Sequence, residues 1–286
     1  MIAWPVSTNR EGSGFRAVKI SLFYAAALAI LALFLFPIAW LLLASVKTQV
    51  DAIALPPVLR FQPTLDNFRT IFGEENFLHF LVNSLVVAVV STLLSLIVGF
   101  PAAYALARYR FRLRNDIAFW VISTQMLPPI AVALPYLLLM KSLGLIDTKT
   151  GLVIAHLTFN LPFAVWLLQG FIREVPPELD EAATVDGASV LRVMRDVVAP
   201  LVRPGLLATS IFCIVTSWNE FMFALFLAPF EAKTLPVASV GLISFGSIYW
   251  GHIGAAAAVI VVPVFLFALA AQRYLVRGLT FGAVKG

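Results

Sequence analysis

The sequence predicts an all-α integral membrane protein with six transmembrane helices. Three observations predict it. Of the 286 residues, 61% are hydrophobic and only 12% charged, whereas about a quarter of a soluble domain is charged; so few polar groups would not cover a fold in water. The mean hydropathy is +0.95. The apolar residues gather into six runs, each close to the ~20 residues an α-helix needs to cross the hydrocarbon core.

Residues 1–19 are polar and basic, with Arg10, Arg16 and Lys19. The first span follows over 20–46, about twice as long as a signal-peptide apolar region, so it reads as an uncleaved span. The loop 47–80 is stiffened by Pro56, Pro57 and Pro63. Its TLDNFRTIF stretch sets Leu65, Phe68 and Ile71 or Phe72 at helical spacing, predicting a short helix on the outer membrane surface. Spans two and three occupy 81–107 and 117–140, joined by the basic loop 108–116. Ser84, Ser91, Ser95 and Gly99 fall close to one face of span two, where small residues let helix backbones approach. Pro101 and Pro128–Pro129 are expected to bend or break their helices, leaving carbonyls for neighbouring helices to satisfy. Beyond the loop 141–151 come span four (152–171), the loop 172–204, span five (205–228), the loop 229–252, span six (253–273) and the tail 274–286. His156 and Asn160 in span four are expected to be structural.

Six spans place both termini on one side. The N-terminal segment, 108–116, 172–204 and the C-terminal end from Arg273 hold 14 of the 20 Lys and Arg, led by Arg108, Arg110, Arg112 and Arg114. The positive-inside rule makes that side cytoplasmic. A single cysteine, Cys213, excludes an intramolecular disulfide or a cysteine metal cluster. His79, His156 and His252 fit no metal-ligand spacing. No G-x-x-x-x-G-K-[ST] occurs, so the chain carries no P-loop. No catalytic residue, cofactor or metal is expected in this chain, and no basic patch interleaved with aromatics points to nucleic acid.

The loop 172–204 is the least membrane-like part. In VPPELDEAATVDGAS, Pro177 suits a first helical turn. Glu178, Asp180 and Glu181 crowd the positive end of the helix dipole, and Gly187 is placed as a C′ stop. Ser189 is placed to cap a second helix running to about Ala199 and ending before Pro200. That helix carries an apolar stripe of Val190 or Leu191, Met194, and Val197 or Val198. An amphipathic hairpin resting on lipid would favour Lys and Arg. Residues 174–186 instead hold five acids and no base, which suits a basic socket on another protein.

Glu220 is the one acid within a span, where a charge costs about 2.5–3.5 kcal/mol. Thr209, Cys213, Thr216 and Glu220 recur at helical spacing. Two readings stay open: a polar stripe of Thr209, Thr216, Asn219 and Glu220 along a translocation path, with Asn219 or Glu220 meeting sugar hydroxyls, or polar glue between helices.

Glu181-Ala182-Ala183, Gly187 and Val197-Val198-Ala199-Pro200 resemble the cytoplasmic loop of binding-protein-dependent ABC importer permeases. Val197 and Ala199 stand where that family usually has Ile and Leu. LGLIDTKTGLVIAH, NLPFAVWLLQGFIREVPPELDEAA, SWNEFMFAL and the ending QRYLVRGLTFGAVKG look like the carbohydrate-uptake branch, specifically the smaller permease subunit of maltose-type transporters. The resemblance implies a type I importer permease fold in a bacterial inner membrane. It implies a heterodimer with a second permease subunit, two copies of an ABC ATPase that bind ATP and Mg, and an extracytoplasmic sugar-binding protein. It implies coupling to the ATPase through Glu181, Ala182, Ala183, Asp186, Gly187 and Pro200, with tail contacts at Gly282, Ala283, Val284, Lys285 and Gly286. It implies binding-protein contact in the 229–252 loop, at Gly241, Phe245, Gly246 and Tyr249. The expected cargo is a neutral sugar or polyol, since the spans offer no cationic site for an anion. An ion-coupled carrier is the alternative; an intramembrane enzyme lacks a nucleophile–base pair or metal ligands in the spans.

Overall fold

The computed structural model describes residues 13–244 and 247–281, with side chains described over 18–243 and 248–269. Phe245, Gly246 and the tail Gly282, Ala283, Val284, Lys285 and Gly286 lie outside the described residues.

Among the described residues, four uninterrupted apolar helices are long enough to cross a bilayer. They are α1 (Ser13–Ser45), α4 (Phe77–Arg108), α7 (Lys149–Glu174) and α14 (Trp250–Phe281). Between α1 and α4 lie the short α2 (Gln49–Ile53) and α3 (Asp66–Gly73). The third crossing is broken into α5 (Arg114–Ser123), a 3-10 turn Thr124–Met126 and α6 (Pro129–Ser142), bent by 97°. Pro128 and Pro129 cause this break, because neither can donate to the helix ladder. Pro101, by contrast, stays inside α4 without ending it.

The loop after α7 holds α8 (Glu178–Val185), α9 (Val190–Arg192), a π-turn Val193–Val198 and α10 (Ala199–Leu201). An 82° bend then leads into α11 (Arg203–Trp218). The expected fifth span, 205–228, does not run as one helix. α11 ends at Trp218, and α12 (Met222–Leu227) begins after a three-residue break. With each bent pair taken as one crossing, the bundle has six. α13 (Leu235–Gly241) and a two-residue antiparallel pair, β1 (Ile243–Ser244) with β2 (Ser247–Ile248), precede α14.

α4, α7 and α11 form the centre of the bundle, with α14 on α11 and α1 on α14. Lipid tails are as apolar as Leu, so close packing and interhelical hydrogen bonds hold the helices together. Ser84, Ser91, Ser95 and Gly99 are all buried on one face of α4. A Cβ at Gly99 would lie 3.3 Å from the Ala164 Cβ of α7. Beside them a polar knot joins the three central helices. Asn160 Nδ2 donates to Ser217 Oγ (2.7 Å) and Ser91 Oγ (3.3 Å), and the two hydroxyls lie 3.1 Å apart. Bonds of this kind contribute about 0.6 kcal/mol each in membranes.

The helix foreseen at TLDNFRTIF is α3, and part of its apolar face turns to the bundle. Ile71 is fully buried and packs with Phe68, Phe77, Trp218 and Leu235, while Leu65 is exposed. Asn67 of α3 donates to the carbonyls of Ser45 (2.9 Å) and Lys47 (2.8 Å), tying α3 to the end of α1.

Candidate functional site

At the arginine-rich end of the bundle, α8 forms an elbow. Pro177 precedes its first turn, which holds Glu178, Asp180 and Glu181, where the helix dipole favours negative charge. Its end is a Schellman turn. Ala188 N donates to Ala183 O (2.9 Å), Gly187 N donates to Thr184 O (3.0 Å), and Gly187 has φ +83°. A Cβ there would meet nothing within 4 Å, so glycine is required by backbone conformation, which costs about 1–2 kcal/mol for other residues.

One side of the elbow is fastened to the bundle. Asp180 is 9% exposed, and its Oδ2 accepts from Arg108 Nε (2.7 Å) and from the Tyr104 hydroxyl (3.1 Å). Arg108 Nη2 also donates to Val175 O (2.9 Å), the C-cap of α7. Ala183 and Ala188 pack with Ile172, Val175, Val193 and Met194. The other side is open. Glu181, Ala182, Asp186 and Gly187 are exposed, Val185 is 87% exposed, and Ala183 is half-buried between the two sides. Pro200 is exposed as well.

The second elbow helix departs from the sequence expectation in three ways. Ser189 holds the N-cap position but makes no side-chain cap bond. The helical path continues through Pro200, because a widened π-turn precedes it and relieves the clash between a proline ring and the carbonyl four residues back. The same turn changes where the apolar stripe starts and leaves Met194 and Val198 in it as expected. Val193, Met194 and Val198 are buried, whereas Val190 and Leu191 are exposed; residues five apart align in a π-turn.

In the membrane, Glu220 sits at the break between α11 and α12. Its Oε1 accepts from Phe223 N (2.7 Å) and its Oε2 from Ala224 N (3.1 Å), so it caps α12. The fully buried His156 places Nε2 3.5 Å from Oε2. The two bonds satisfy N–H groups that a helix start would otherwise leave orphaned.

Beside this break, a cleft of about 1300 Å³ opens between α4, α5, α6, α7 and α11. Thr216, Asn219 and Glu220 line it, as do Gln125, Thr158 and Trp120, and its lining contains no basic residue. Thr216 donates to Phe212 O and Asn219 Nδ2 to Val215 O, both at 2.8 Å. Thr209 lies elsewhere: it is fully buried and donates to Gly205 O (2.8 Å).

At the opposite end of the bundle, Asp147 organises the loop after α12. Its Oδ1 accepts from Phe230 N (3.1 Å) and Ala232 N (3.2 Å), and its Oδ2 from Glu231 N (2.9 Å). Asn83 Nδ2 donates to the carbonyls of Glu231 (2.8 Å) and Lys233 (2.9 Å). Further along, Gly241 is exposed, and Tyr249, 46% exposed, stacks on His252 at 5.2 Å.

Sequence reasoning missed the Tyr104–Arg108–Asp180 cluster, the Glu220 cap and the Asp147 staple. Arg108 had counted only as a topological charge. One signal was available for Asp180: three residues before Ala183, it shares that residue's face of α8, the face turned to the bundle.

A helical membrane bundle with broken third and fifth crossings, an acidic glycine-turned elbow at one end and a cleft at the break defines a solute permease without a nucleotide motif of its own. Residues 95–281 match the family described as binding-protein-dependent transport system inner membrane component. The chain belongs to this family. It is 40% identical over 252 residues to a probable ABC transporter permease, y4oR, of Sinorhizobium fredii, covering 88% of this chain and 91% of the relative. It is 35% identical over 258 residues to the trehalose transport system permease SugB of Mycobacterium tuberculosis, covering 88% and 93%. The solved structure of a bacterial ABC transporter that imports the acidic polysaccharide alginate matches with a TM-score of 0.74 at 24% identity, covering 92% of this chain and 98% of that one; at that identity the likeness is one of fold. The chain is therefore a transmembrane permease component of a binding-protein-dependent transport system.

Proposed function

We propose that this chain pairs with a second, different permease subunit and imports a neutral sugar or polyol. Two copies of an ABC ATPase, which hold ATP and Mg, drive alternating access, and an extracytoplasmic binding protein delivers the cargo. The elbow carries this reading. One side is bolted to α4 and α7, while the side with Glu181, Ala182, Val185 and Asp186 is acidic, smooth and open, as a helix seated in a basic groove of an ATPase would be. Glu181 pairs with a basic residue of that groove, Gly187 permits the turn, and Pro200 ends the second arm of the elbow. The tail Gly282, Ala283, Val284, Lys285 and Gly286 reaches the ATPase pair. The arginine bias puts the elbow and both termini in the cytoplasm. Gly241, Phe245, Gly246 and Tyr249 then face the binding protein.

The cleft supports the choice of cargo. Its lining holds one acid and no base, so nothing there would compensate an anionic solute. Thr216 and Asn219 are the path residues. Glu220 spends both oxygens on capping and acts through the shape of the break. Ion coupling through Glu220 would need a carboxylate free to exchange its partner.

Two experiments test the proposal. The purified complex is assayed for ATP hydrolysis against a panel of sugar-loaded binding proteins, with stimulation expected only from those carrying neutral sugars or polyols. Gly187→Asp and Glu181→Lys are expected to lose the ATPase on co-purification, or to hydrolyse ATP without transport, while still inserting in the membrane. Normal assembly and transport by Gly187→Asp would remove the elbow from this role.

A further inference from the structure

The elbow has two kinds of attachment to the bundle, and they differ in what they can transmit. Ala183 and Ala188 pack against the apolar cluster that includes Ile172, Val175, Val193 and Met194, and such smooth surfaces can slide. The Tyr104–Arg108–Asp180 cluster is directional. Arg108 is the last residue of α4. Its Nε reaches Asp180 in the first turn of α8 at 2.7 Å, and its Nη2 reaches Val175 O, the C-cap of α7, at 2.9 Å. One guanidinium therefore joins the ends of α4 and α7 to the start of α8. Both charged side chains are little exposed, 11% and 12%, so water and salt screen the pair only weakly. A planar guanidinium with donors fixed on two edges resists rotation in a way that an ammonium does not. Tyr104, one turn back on α4, adds a second bond to the same carboxylate oxygen at 3.1 Å. Asp180 Oδ1 is buried with no partner among the described residues, so the carboxylate's described side-chain bonds all run through Oδ2 to α4.

We infer that this cluster is the joint through which movement of the elbow reaches the transmembrane helices, and that Asp180 and Arg108 are positioning residues for coupling rather than ATPase contacts. The inference rests on the reading that the elbow docks an ATPase. α4 and α7 pack along their lengths and bear the close Gly99–Ala164 approach. A push on α8 therefore passes at once to both of these central helices and, through the Ser91–Asn160–Ser217 knot, to α11.

The test uses the whole complex in lipid vesicles with its loaded binding protein, and reads sugar transported per ATP hydrolysed. Arg108→Lys keeps the charge and loses the fork; Asp180→Asn keeps the shape and loses the charge. Both leave the exposed face of the elbow intact. Each variant is expected to co-purify with the ATPase at the wild-type level, while sugar moved per ATP falls at least about fivefold, the low end of coupling between sites. Wild-type transport per ATP in both variants would overturn the inference. A spin-label distance from Ser189, exposed just past the Gly187 turn and making no side-chain cap bond, to a site on α4 gives a second reading. It is expected to stay fixed through the ATP cycle in the wild type and to broaden or drift in Arg108→Lys; an unchanged, narrow distance in that variant would also overturn it. Should Asp180→Asn fail to insert, Arg108→Lys decides by these two readouts. If the wild-type chain itself recovers no ATPase, the elbow-docking reading fails instead, a result distinct from loss of coupling in an assembled variant.

Discussion

A single carboxylate, Asp147, holds the loop after α12 by accepting three successive backbone N–H groups, from Phe230, Glu231 and Ala232. Burial works against its ionisation, but those three donors, with Lys233 nearby, prevail and hold its pKa below the usual carboxylate range. The sign of the pH effect follows. The folded-state value lies below the unfolded one, so the stabilisation is complete above the ordinary carboxylate pKa of about 3.9 and is lost as pH falls through the lowered value. Hydrogen-exchange protection at residues 230–232 is expected to hold through neutral and mildly acidic pH and to collapse only in stronger acid. Asp147→Asn is expected to lower that protection at pH 7 and to abolish the acid step; equal protection in the variant would show that other bonds hold the loop. This staple was not legible in the sequence. Asp147 reads there as one turn residue among LIDTKTG, and its partners lie more than eighty residues later. Gly187 was legible, because a helix stop after two alanines is a local event with a local residue requirement.

The continuous helices α1, α4, α7 and α14 could be read from the sequence because a long apolar run specifies one thing in a membrane, and backbone satisfaction leaves the helix as its solution. The break in the third crossing was equally readable, since Pro128 and Pro129 remove adjacent donors. The break in the fifth was not. Nothing in SWNEF disrupts a helix by propensity, and Glu is a good helix former. What ends α11 is the Glu220 side chain turning to cap α12, with His156 from α7 behind it, a choice made by tertiary packing. The π-turn at Val193–Val198 was hidden for the same reason, and it puts Val193 in the buried stripe in place of Val190 or Leu191. Removing the cap should therefore destabilise an element rather than a contact. Glu220→Ala is expected to cost about 0.5–2 kcal/mol as a lost cap, with more from leaving His156 without its carboxylate neighbour. Thermal unfolding of the purified complex is expected to fall by a few degrees, with Glu220→Gln, which retains an acceptor, in between. A wild-type melting temperature for Glu220→Ala would mean that α12 is held by its packing on α6 and α7 alone.

At the scale of the molecule, the exposed apolar surface divides into two kinds. Along α1, residues such as Leu22, Phe23, Leu33 and Phe34 lie on an unbroken helix; its backbone is satisfied internally, and lipid is an adequate neighbour. The break in the third crossing, which borders the cleft at Gln125, Leu127 and Pro129, differs. The third crossing breaks at Leu127–Pro128, where Met126 is 82% and Leu127 is 56% exposed. Irregular backbone at membrane depth is tolerated only when protein buries it or when it lines a water-filled cavity. This face therefore needs a covering partner or a wet path in the working assembly, whereas the α1 face needs neither. The two faces give opposite expectations for cysteine labelling. Cys213 is fully buried, so background reaction is low. In a chain expressed alone, Met126→Cys is expected to react with a small membrane-permeant thiol reagent, and Phe34→Cys, facing lipid where the thiolate does not form, only slowly. Co-expression with the proposed second permease subunit should protect Met126→Cys by about tenfold, the size of a tenfold change in the open fraction, or about 1.4 kcal/mol, and leave Phe34→Cys unchanged. Protection of Phe34→Cys instead would put the partner on α1. Reaction of Met126→Cys with a charged, water-borne reagent only while the cargo protein is docked would assign the same face to the aqueous path, and either result would make the broken crossing the boundary between this chain and what it moves or meets.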